Sequence, residues 1–334
     1  MNSKTAQKLF LFSGIGIFLL GSLLTISHIK YGSYIVLFGI VILGLTLIPM
    51  FFSRMVNSPT KKYSTVYPNI TQSIGITAIN ILIALLTIIK LRSSLNEFVG
   101  KEASDLICEL LIVGIPLGLA YLIRKKRTNY NSFNLKIDNI RIIPFIVIGS
   151  VALLFGIADP LGNLIPMPEN FKNSLMDFGS QTGIFAFLLL VIAAPILEEL
   201  LFRGIILDGL LKRYSPLISI LISSLLFGIA HLNPWSFING LIIGIFSGWV
   251  YYKTRSVLPS IIIHASANLS GFLVRFLVDI NVRMNDSLVN IYGGLTNLIL
   301  SIAGSIIVVS ICIYFLIKEF NKRGEQTLAS IPEN

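Results

Sequence analysis

The chain has 334 residues, of which 54% are hydrophobic and only 13% are charged, and its formal net charge is +10. A soluble domain carries about 25% charged residues, so this composition excludes an ordinary soluble protein and predicts an integral membrane protein. The basic residues lie in short loops between apolar runs, which indicates membrane topology and attraction to anionic lipid, and no binding of nucleic acid.

The apolar runs predict an all-α fold, a polytopic bundle of about ten transmembrane helices, because each span needs about 20 apolar residues. The first run is followed by further spans, so we expect it to stay in the chain and not to be cleaved as a signal peptide. The predicted helices cover residues 9–27, 34–52, 70–89, 106–123, 142–157, 183–211, 216–231, 237–252, 258–278 and 295–317.

Lysine and arginine clusters set the predicted orientation. With the N terminus inside, the inner loops hold most of the basic residues, including the cluster Arg124-Lys125-Lys126-Arg127, whereas the acidic loop 159–177 faces outside. Both termini are therefore expected in the cytoplasm. The composition, rich in Ile, Lys and Asn, and the short loops are typical of a Gram-positive bacterium, so the predicted location is a bacterial plasma membrane.

The polar stretch 128–141 follows the basic cluster and is the predicted domain boundary. Residues 1–127 would form N-terminal transmembrane helices with few polar groups inside the membrane. Residues 142–278 contain the unusual polar residues, and residues 279–334 form the last transmembrane helix and a short polar tail. Cys108 and Cys312 lie in apolar runs without metal-ligand spacing, which predicts packing roles.

Adjacent carboxylates, Glu198 and Glu199, lie inside an apolar run, and Arg203 follows one turn later. A charged side chain at bilayer depth costs roughly 2.5–3.5 kcal/mol on insertion scales, so such residues usually face a polar cavity and serve a function there. A plain intrahelical ion pair between Glu199 and Arg203 is an equally good interpretation, but it leaves Glu198 unexplained.

Two later apolar helices each carry a residue pair at i, i+4 spacing, which places both members on one helical face. The pairs are Phe227 with His231 and His264 with Asn268. A single histidine within a membrane is often only a hydrogen-bonding residue between helices. That explanation weakens here, because these residues and the glutamates fall on helices that are close in sequence.

The combined residue types contain what peptide hydrolysis needs. A carboxylate can act as a general base toward water, and a histidine can hold that water or bind a metal. A second histidine and an asparagine can donate hydrogen bonds to a developing oxyanion. Zinc remains an open option with Glu198, His231 and His264 as candidate ligands, although this is a sparse set and no H-E-x-x-H motif is present.

The motifs resemble those of a known family. Residues 198–203 match E-E-x-x-x-R, residues 227–231 match F-x-x-x-H, and residues 264–268 match H-x-x-x-N. In this order on successive hydrophobic helices, they resemble the CPBP family of intramembrane proteases, which comprises CAAX proteases and bacteriocin-processing enzymes and is also called the Abi family. The resemblance covers residues 142–278, which would form the catalytic core.

The resemblance implies roles for the motif residues. Glu198 would activate water with His231, and His264 and Asn268 would stabilise the oxyanion, unless His264 shares a metal. Glu199, Arg203 and Phe227 would support the site. The family has been described both as metalloproteases and as glutamic proteases, and the sparse ligand set favours a glutamate-activated water.

The expected activity is that of an intramembrane endopeptidase acting on a membrane-associated peptide or protein in the lipid bilayer, in bacteriocin processing or self-immunity. A prenylated CAAX substrate is the weaker prediction. The alternatives are a non-proteolytic immunity or scaffold protein of the same fold and a proton-coupled transporter, which would show paired repeats that this sequence lacks. The oligomeric state stays open.

Overall fold

The computed structural model describes residues 66–329 of the chain, and this part is all-α, without a β-strand. The predicted spans 9–27 and 34–52 lie outside the described residues. In chain order, the described helices are α1 (Ile70–Lys90), α2 (Arg92–Val99), α3 (Lys101–Thr128), α4 (Ile140–Gly162), α5 (Glu169–Gly179), α6 (Ile184–Leu211), α7 (Pro216–Ala230), α8 (Pro234–Thr254), α9 (Val257–Val274), α10 (Ile280–Asn285), α11 (Leu288–Ile291) and α12 (Leu295–Ala329).

Six helices within residues 66–329 are long and apolar enough to cross a membrane. They are α1 continued through α2, then α3, α4, α6, α9 and the Leu295–Lys322 part of α12. Helix α7 is apolar but shorter, with 15 residues. The predicted class, a polytopic helical membrane protein, is therefore confirmed, and each predicted span from residue 70 onward overlaps a helix of the structure.

The helix ends differ from the predicted ones where capping groups intervene. Helix α7 ends at Ala230, so His231 lies just beyond the helix and not within it. The side chain of Asn233 accepts a hydrogen bond from the backbone nitrogen of Ser236 and starts α8 there, with Pro234 at its first position. Hydropathy does not detect such caps, because it averages over a window.

Helix α6 lies at the centre of the bundle and packs against α3, α7 and α9. It contains two π-helical turns, Leu188–Ala193 and Phe202–Leu207, on either side of the segment that carries the glutamates. Pro195 follows the first turn and has no backbone N–H to donate, which loosens the regular hydrogen-bond ladder. Such turns often accompany functional sites.

Apolar side chains on α6 form the main core. Leu201, Phe202, Ile205 and Ile206 are at most 1% exposed and pack against residues of α1, α3 and α7. A second cluster joins α4, α8, α9 and α12. Helix α6 is therefore fixed on several sides, which holds its polar residues in defined positions.

Arg124 lies in the cluster that the sequence assigns to an inner loop, but the structure buries it at the end of α3. Its guanidinium donates to the carbonyl oxygens of Gly204 at 2.8 Å and Ser132 at 3.1 Å, and it lies 4.4 Å from the ring centroid of Phe133. Counting basic residues cannot distinguish such a buried arginine from a lipid-facing one. Arg124 therefore connects α3 and the 128–141 stretch to α6.

Candidate active site

The adjacent glutamates of α6 face different surroundings, because consecutive helical residues point in directions about 100° apart. Glu199 is fully buried, and its Oε1 accepts a hydrogen bond from Nη1 of Arg203 at 2.9 Å. The side chain of Glu198 keeps 15% of its surface exposed and lines a cavity. Glu199 is thus placed for support and Glu198 for contact with a bound molecule.

Arg203 holds three neighbours together from a completely buried position. Besides Glu199, its Nη2 donates to the carbonyl oxygen of Gly244 on α8 at 3.0 Å, and its guanidinium lies 4.6 Å from the ring centroid of Phe227 on α7. The intrahelical ion pair that the sequence suggests is present. It also joins three helices, so it organises the site and is more than a local pair.

His264 on α9 lies between the two carboxylates. Its Nδ1 is 3.2 Å from Oε1 of Glu199, and its Nε2 is 3.9 Å from Oε2 of Glu198. Because an ionised carboxylate only accepts hydrogen bonds, Nδ1 carries a proton and donates it to Glu199. This bond fixes the orientation of the ring and turns Nε2 toward Glu198, since the partner of one ring nitrogen determines the state of the other.

His231 follows the last residue of α7, and its Nδ1 lies 2.9 Å from the carbonyl oxygen of Phe227. A carbonyl oxygen only accepts, so Nδ1 carries a proton, which leaves Nε2 as the ring nitrogen that can interact with water. The ring of Phe227 lies 4.9 Å from His231 and 5.6 Å from His264, centroid to centroid, and spaces the two imidazoles. Gly240 leaves room for His231, because an added Cβ would lie 3.4 Å from its Cε1.

Asn268 lies one turn beyond His264 on α9, and its Nδ2 donates to the carbonyl oxygen of Leu190 at 2.9 Å. Leu190 belongs to the first π-helical turn of α6, where the ladder is irregular. This bond uses one of the two amide hydrogens and holds the side chain against α6. The second amide hydrogen can donate to a molecule in the cavity.

The four residues predicted as catalytic line one cavity of about 410 Å³. They come from α6, the end of α7, and α9, and the structure brings Glu198, His231, His264 and Asn268 together. Of the three supporting residues, Glu199 and Arg203 lie behind the cavity wall, whereas Phe227 lines the cavity between the two histidines. Both members of each i, i+4 pair, Phe227 with His231 and His264 with Asn268, therefore face the same cavity.

Several further polar residues of the cavity were missed by the sequence reasoning, among them one carboxylate and one amide with unpaired buried oxygens. Glu109 on α3 and Asn239 on α8 line it, and Oε1 of Glu109 and Oδ1 of Asn239 are buried without a hydrogen-bond partner among residues 66–329. Glu109 is a single carboxylate inside an apolar helix, which is the signal that could have identified it. The expectation that the unusual polar residues all follow the 128–141 stretch is wrong for this reason.

The histidines and carboxylates of the site are not arranged as a set of metal ligands. Within residues 66–329, no three His, Cys, Asp or Glu side chains are placed so that they could hold a metal ion. Nδ1 of each histidine is engaged, with Glu199 and with the carbonyl oxygen of Phe227, which leaves Nε2 of each ring as the atom that could bind a metal. Because no three such side chains converge within residues 66–329, the described residues do not form a three-ligand zinc centre, and no step below involves one. Zinc bound by Glu198, His231 and His264 stays an untested prediction.

Comparison with known proteins supports the family resemblance. Residues 180–270 match the family model described as type II CAAX prenyl endopeptidase Rce1-like. The chain is also 31% identical over 126 residues to UPF0177 protein YxdF of Lactococcus lactis subsp. lactis (strain IL1403), a match that covers 37% of this chain and 60% of that relative. No solved structure is significantly similar. The resemblance predicted from the motifs is confirmed over the matched residues.

Proposed function

We propose that the chain is an intramembrane endopeptidase that hydrolyses a peptide bond in a membrane-associated peptide or protein. One observation carries the proposal: Glu198, both histidines and Asn268 line a single cavity, although they come from separate parts of the chain. All four lie within the Rce1-like match over residues 180–270. A scaffold protein has no need for a partly buried carboxylate that shares a cavity with two oriented histidines.

The proposed attack begins with a water molecule held between Glu198 and Nε2 of His231. Glu198 takes a proton from the water as the oxygen adds to the carbonyl carbon of the peptide bond. The free amide hydrogen of Asn268 donates to the oxyanion that forms, and protonated His264 can donate to it through Nε2–H. Glu198 then returns a proton to the leaving nitrogen, and the carbon–nitrogen bond breaks.

The surrounding residues keep this arrangement fixed before substrate binds. Glu199 orients His264, and Arg203 balances the charge of Glu199 in a site from which water is largely excluded. Electrostatic interactions are stronger in such an environment than in water, so donors that are already oriented contribute more to catalysis. The mechanism therefore assigns Glu199, Arg203 and Phe227 to support, without contact with the reacting atoms.

The proposed cellular setting is a Gram-positive plasma membrane, with both termini in the cytoplasm. The relative in Lactococcus lactis supports a bacterial setting. The proposed substrates are membrane-associated bacterial peptides, in bacteriocin processing or self-immunity. A prenylated CAAX protein is the alternative that the experiment below can also detect.

The test compares host membranes that contain the wild-type protein, Glu198→Gln or Glu97→Gln. Glu97 lies exposed on α2, so its variant controls for the loss of a carboxylate elsewhere. Mass spectrometry follows small peptides and the termini of membrane proteins. We expect at least one new terminus in wild type and Glu97→Gln that is absent from Glu198→Gln. Identical termini in all three membranes, with equal protein levels, would instead favour the non-proteolytic immunity or scaffold protein.

A further inference from the structure

A second cavity, of about 780 Å³, adjoins the active-site cavity, and the reaction proposed above gives it no role. Asn268 and Leu190, joined by the hydrogen bond described above, line both cavities, and so do Ser236 and Asn239 near the start of α8. The second cavity continues past the end of α9 to α10 and α11. A peptide bound in it can therefore extend into the active site.

Both cavities lie at the same end of the helix bundle. The second is lined by the C-terminal parts of α4 and α9, by the N-terminal part of α8 and by the segment 159–180. The 124–127 cluster lies at the far end of α3, and Lys253 lies at the far end of α8. Exposed polar residues, among them Asn163, Asp279 and Asn281, border the second cavity, so it reaches the surface on the side that the basic residues predict to be outside.

Hydrogen bonds and a ring contact fix the wall of the second cavity. Nε1 of Trp235, on the first turn of α8, donates to the carbonyl oxygen of Ile165 at 3.0 Å, and the ring centroids of Trp235 and Phe171 are 5.7 Å apart. Nη2 of Arg283 on α10 lies 3.1 Å from Oδ2 of Asp159 on α4. The second cavity is therefore a formed part of the fold and not a gap between loosely placed helices.

The charged side chains of the second cavity differ in how they are paired. They are Asp159, Arg275, Asp279 and Arg283. Arg283 and Asp159 form the ion pair described above, and Oδ1 of Asp279 accepts a hydrogen bond from the backbone nitrogen of Asn281 at 2.7 Å. Arg275 is therefore the cation of this lining that forms no ion pair among residues 66–329.

Backbone carbonyl oxygens hold Arg275 in place just beyond α9. Its Nη1 donates to the carbonyl oxygens of Gln181 at 2.6 Å and Phe178 at 3.2 Å, and its guanidinium lies 5.2 Å from the ring centroid of Phe178. Its Nε and Nη2 have no acceptor among residues 66–329. Two neighbouring nitrogens of this kind are the fork with which a guanidinium binds both oxygens of a carboxylate.

We propose that the second cavity binds the part of the substrate on one side of the scissile bond, that this part enters from the outer face of the membrane, and that Arg275 determines specificity by binding a carboxylate of the substrate. The carboxylate is either the C terminus of the peptide or an acidic side chain, because the fork binds both in the same way. Arg275 lies outside the residues matched by the family model. The inference rests on the proposed peptidase activity, because the second cavity is assigned to its substrate.

The first test measures access to the cavities and needs no substrate. Ser236→Cys places a thiol on the lining that both cavities share, and Lys126→Cys is the comparison at the other end of the bundle. Both are made together with Cys108→Ala, because Cys108 lines the active-site cavity. We expect a membrane-impermeant thiol reagent to label Ser236→Cys on intact cells and Lys126→Cys only after permeabilisation. Ser236→Cys that needs permeabilisation, or is never labelled, would overturn entry from the outer face.

The second test measures the charge preference of the second cavity. Purified Ser236→Cys in detergent reacts with a negatively or a positively charged methanethiosulfonate reagent of similar size. We expect the ratio of the two rates, negative to positive, to fall about threefold or more when Arg275→Gln is added, because the local potential becomes less positive. Arg275→Lys keeps the charge and should keep the ratio. Arg213→Gln, at an exposed arginine beyond α6, is the matched control. A ratio that Arg275→Gln leaves unchanged would overturn the role of Arg275.

The third test uses the peptide identified by terminus mapping, with its C-terminal carboxylate or its acidic side chains converted in turn to amides. We expect Arg275→Gln to raise KM about tenfold for the unmodified peptide, with kcat changed less than about twofold. The amide that raises KM by the same factor in wild type, and has no further effect in Arg275→Gln, identifies the recognised carboxylate.

Arg275→Lys keeps the charge but not the fork, so it should raise KM less, and it replaces Arg275→Gln if that variant does not fold. A purely structural role of Arg275 predicts a lower melting temperature and the same loss of activity with every peptide. That result would contradict recognition of a carboxylate.

The outcomes separate the two proposals. A wild-type protein that cleaves no peptide contradicts the peptidase, while labelling and the rate ratio still decide whether the second cavity opens at the outer face and attracts an anion. Cleavage by wild type together with an unchanged KM in Arg275→Gln contradicts only the role of Arg275.

Discussion

Glu199 and Arg203 have no exposed surface, and both carry charge in a helix long and apolar enough to cross the membrane. Each charged group has fixed partners: Glu199 accepts from Arg203 and His264, and Arg203 also donates to a carbonyl oxygen of α8. A buried ion pair offsets its desolvation cost only when hydrogen bonds satisfy most of its atoms, and here Oε2 of Glu199 and Nε of Arg203 have no partner among residues 66–329. The pair therefore stabilises the helix arrangement only as a complete unit.

Substitution of Arg203 tests whether the Glu199–Arg203 pair stabilises the protein only when both residues are present. Arg203→Ala leaves Glu199 as an unpaired buried carboxylate, which we expect to lower the free energy of unfolding by about 3–5 kcal/mol and to abolish activity. Thermal unfolding of the purified protein in detergent measures the first effect. Arg213→Ala, at an exposed arginine just beyond α6, is the control and should unfold like wild type. A wild-type melting temperature in Arg203→Ala would contradict the organising role of this residue.

Most site residues can be predicted because charged and histidine side chains are conspicuous in apolar helices. The sequence points in this way to Glu198 and His231, and to the pairing of Glu199 with Arg203. A carboxylate inside an apolar helix also marks Glu109, but no motif connects it with Glu198, and only the fold shows that both residues line the same cavity. The reason is that a contact between distant parts of the chain leaves no periodic signal in the sequence.

Among the helices, α8 approaches α6 and α7 at a glycine. An added Cβ at Gly244 would lie 3.1 Å from Nη2 of Arg203 and 3.1 Å from Cβ of Ser224. Small residues at four-residue spacing are typical of such close packing. The structure adds that the carbonyl oxygen of Gly244 accepts a bond from Arg203, so the close approach also completes the site.

Gly244→Ala should therefore separate α8 from its neighbours. We expect the free energy of unfolding to fall by about 1–3 kcal/mol, as is usual when a packed contact is overfilled. Gly304→Ala on α12 is the matched control, because nothing lies within 4 Å of its added Cβ, and alanine favours a helix over glycine. Melting temperatures that fall equally in the two variants would show that close packing at Gly244 is not the cause.

Hydropathy predicts that the helices exist, but it does not predict where the backbone departs from a regular α-helix. The π-helical turns of α6 leave no trace in a hydropathy average, and only Pro195 indicates an irregularity there. The same holds for His231, which lies beyond the end of α7 and just before the cap at Asn233. These departures change where the polar side chains point, so they determine the cavity more than the helix boundaries do.

At the scale of the whole molecule, membrane orientation determines which compartment the substrate is drawn from. The distribution of lysine and arginine predicts the 124–127 cluster inside and the 159–177 loop outside. Buried Arg124 weakens that cluster by one residue, because it contacts protein and not lipid headgroups. Its neighbours Lys125 and Lys126 are exposed, so they maintain the excess of basic residues that predicts this end of α3 on the inner side.

Cysteine labelling can measure this orientation. Cys108 and Cys312 are both buried, so background labelling should be low. On intact cells, we expect a membrane-impermeant thiol reagent to label Asn173→Cys, on α5, and to label Lys126→Cys only after the cells are permeabilised. Both positions are exposed in the structure. The opposite pattern would overturn the predicted topology, because it would place the 124–127 cluster outside.

The most direct test of the account is peptide cleavage in ¹⁸O-labelled water by purified protein in vesicles. The substrate is the peptide identified by terminus mapping, and the proteins compared are wild type, Glu198→Gln and the control Glu97→Gln. We predict that wild type and Glu97→Gln place one ¹⁸O atom in the new carboxyl terminus, and that Glu198→Gln is slower by about 100-fold or more with an unchanged melting temperature. Cleavage at the wild-type rate by Glu198→Gln would contradict the assignment of Glu198 as the group that activates water.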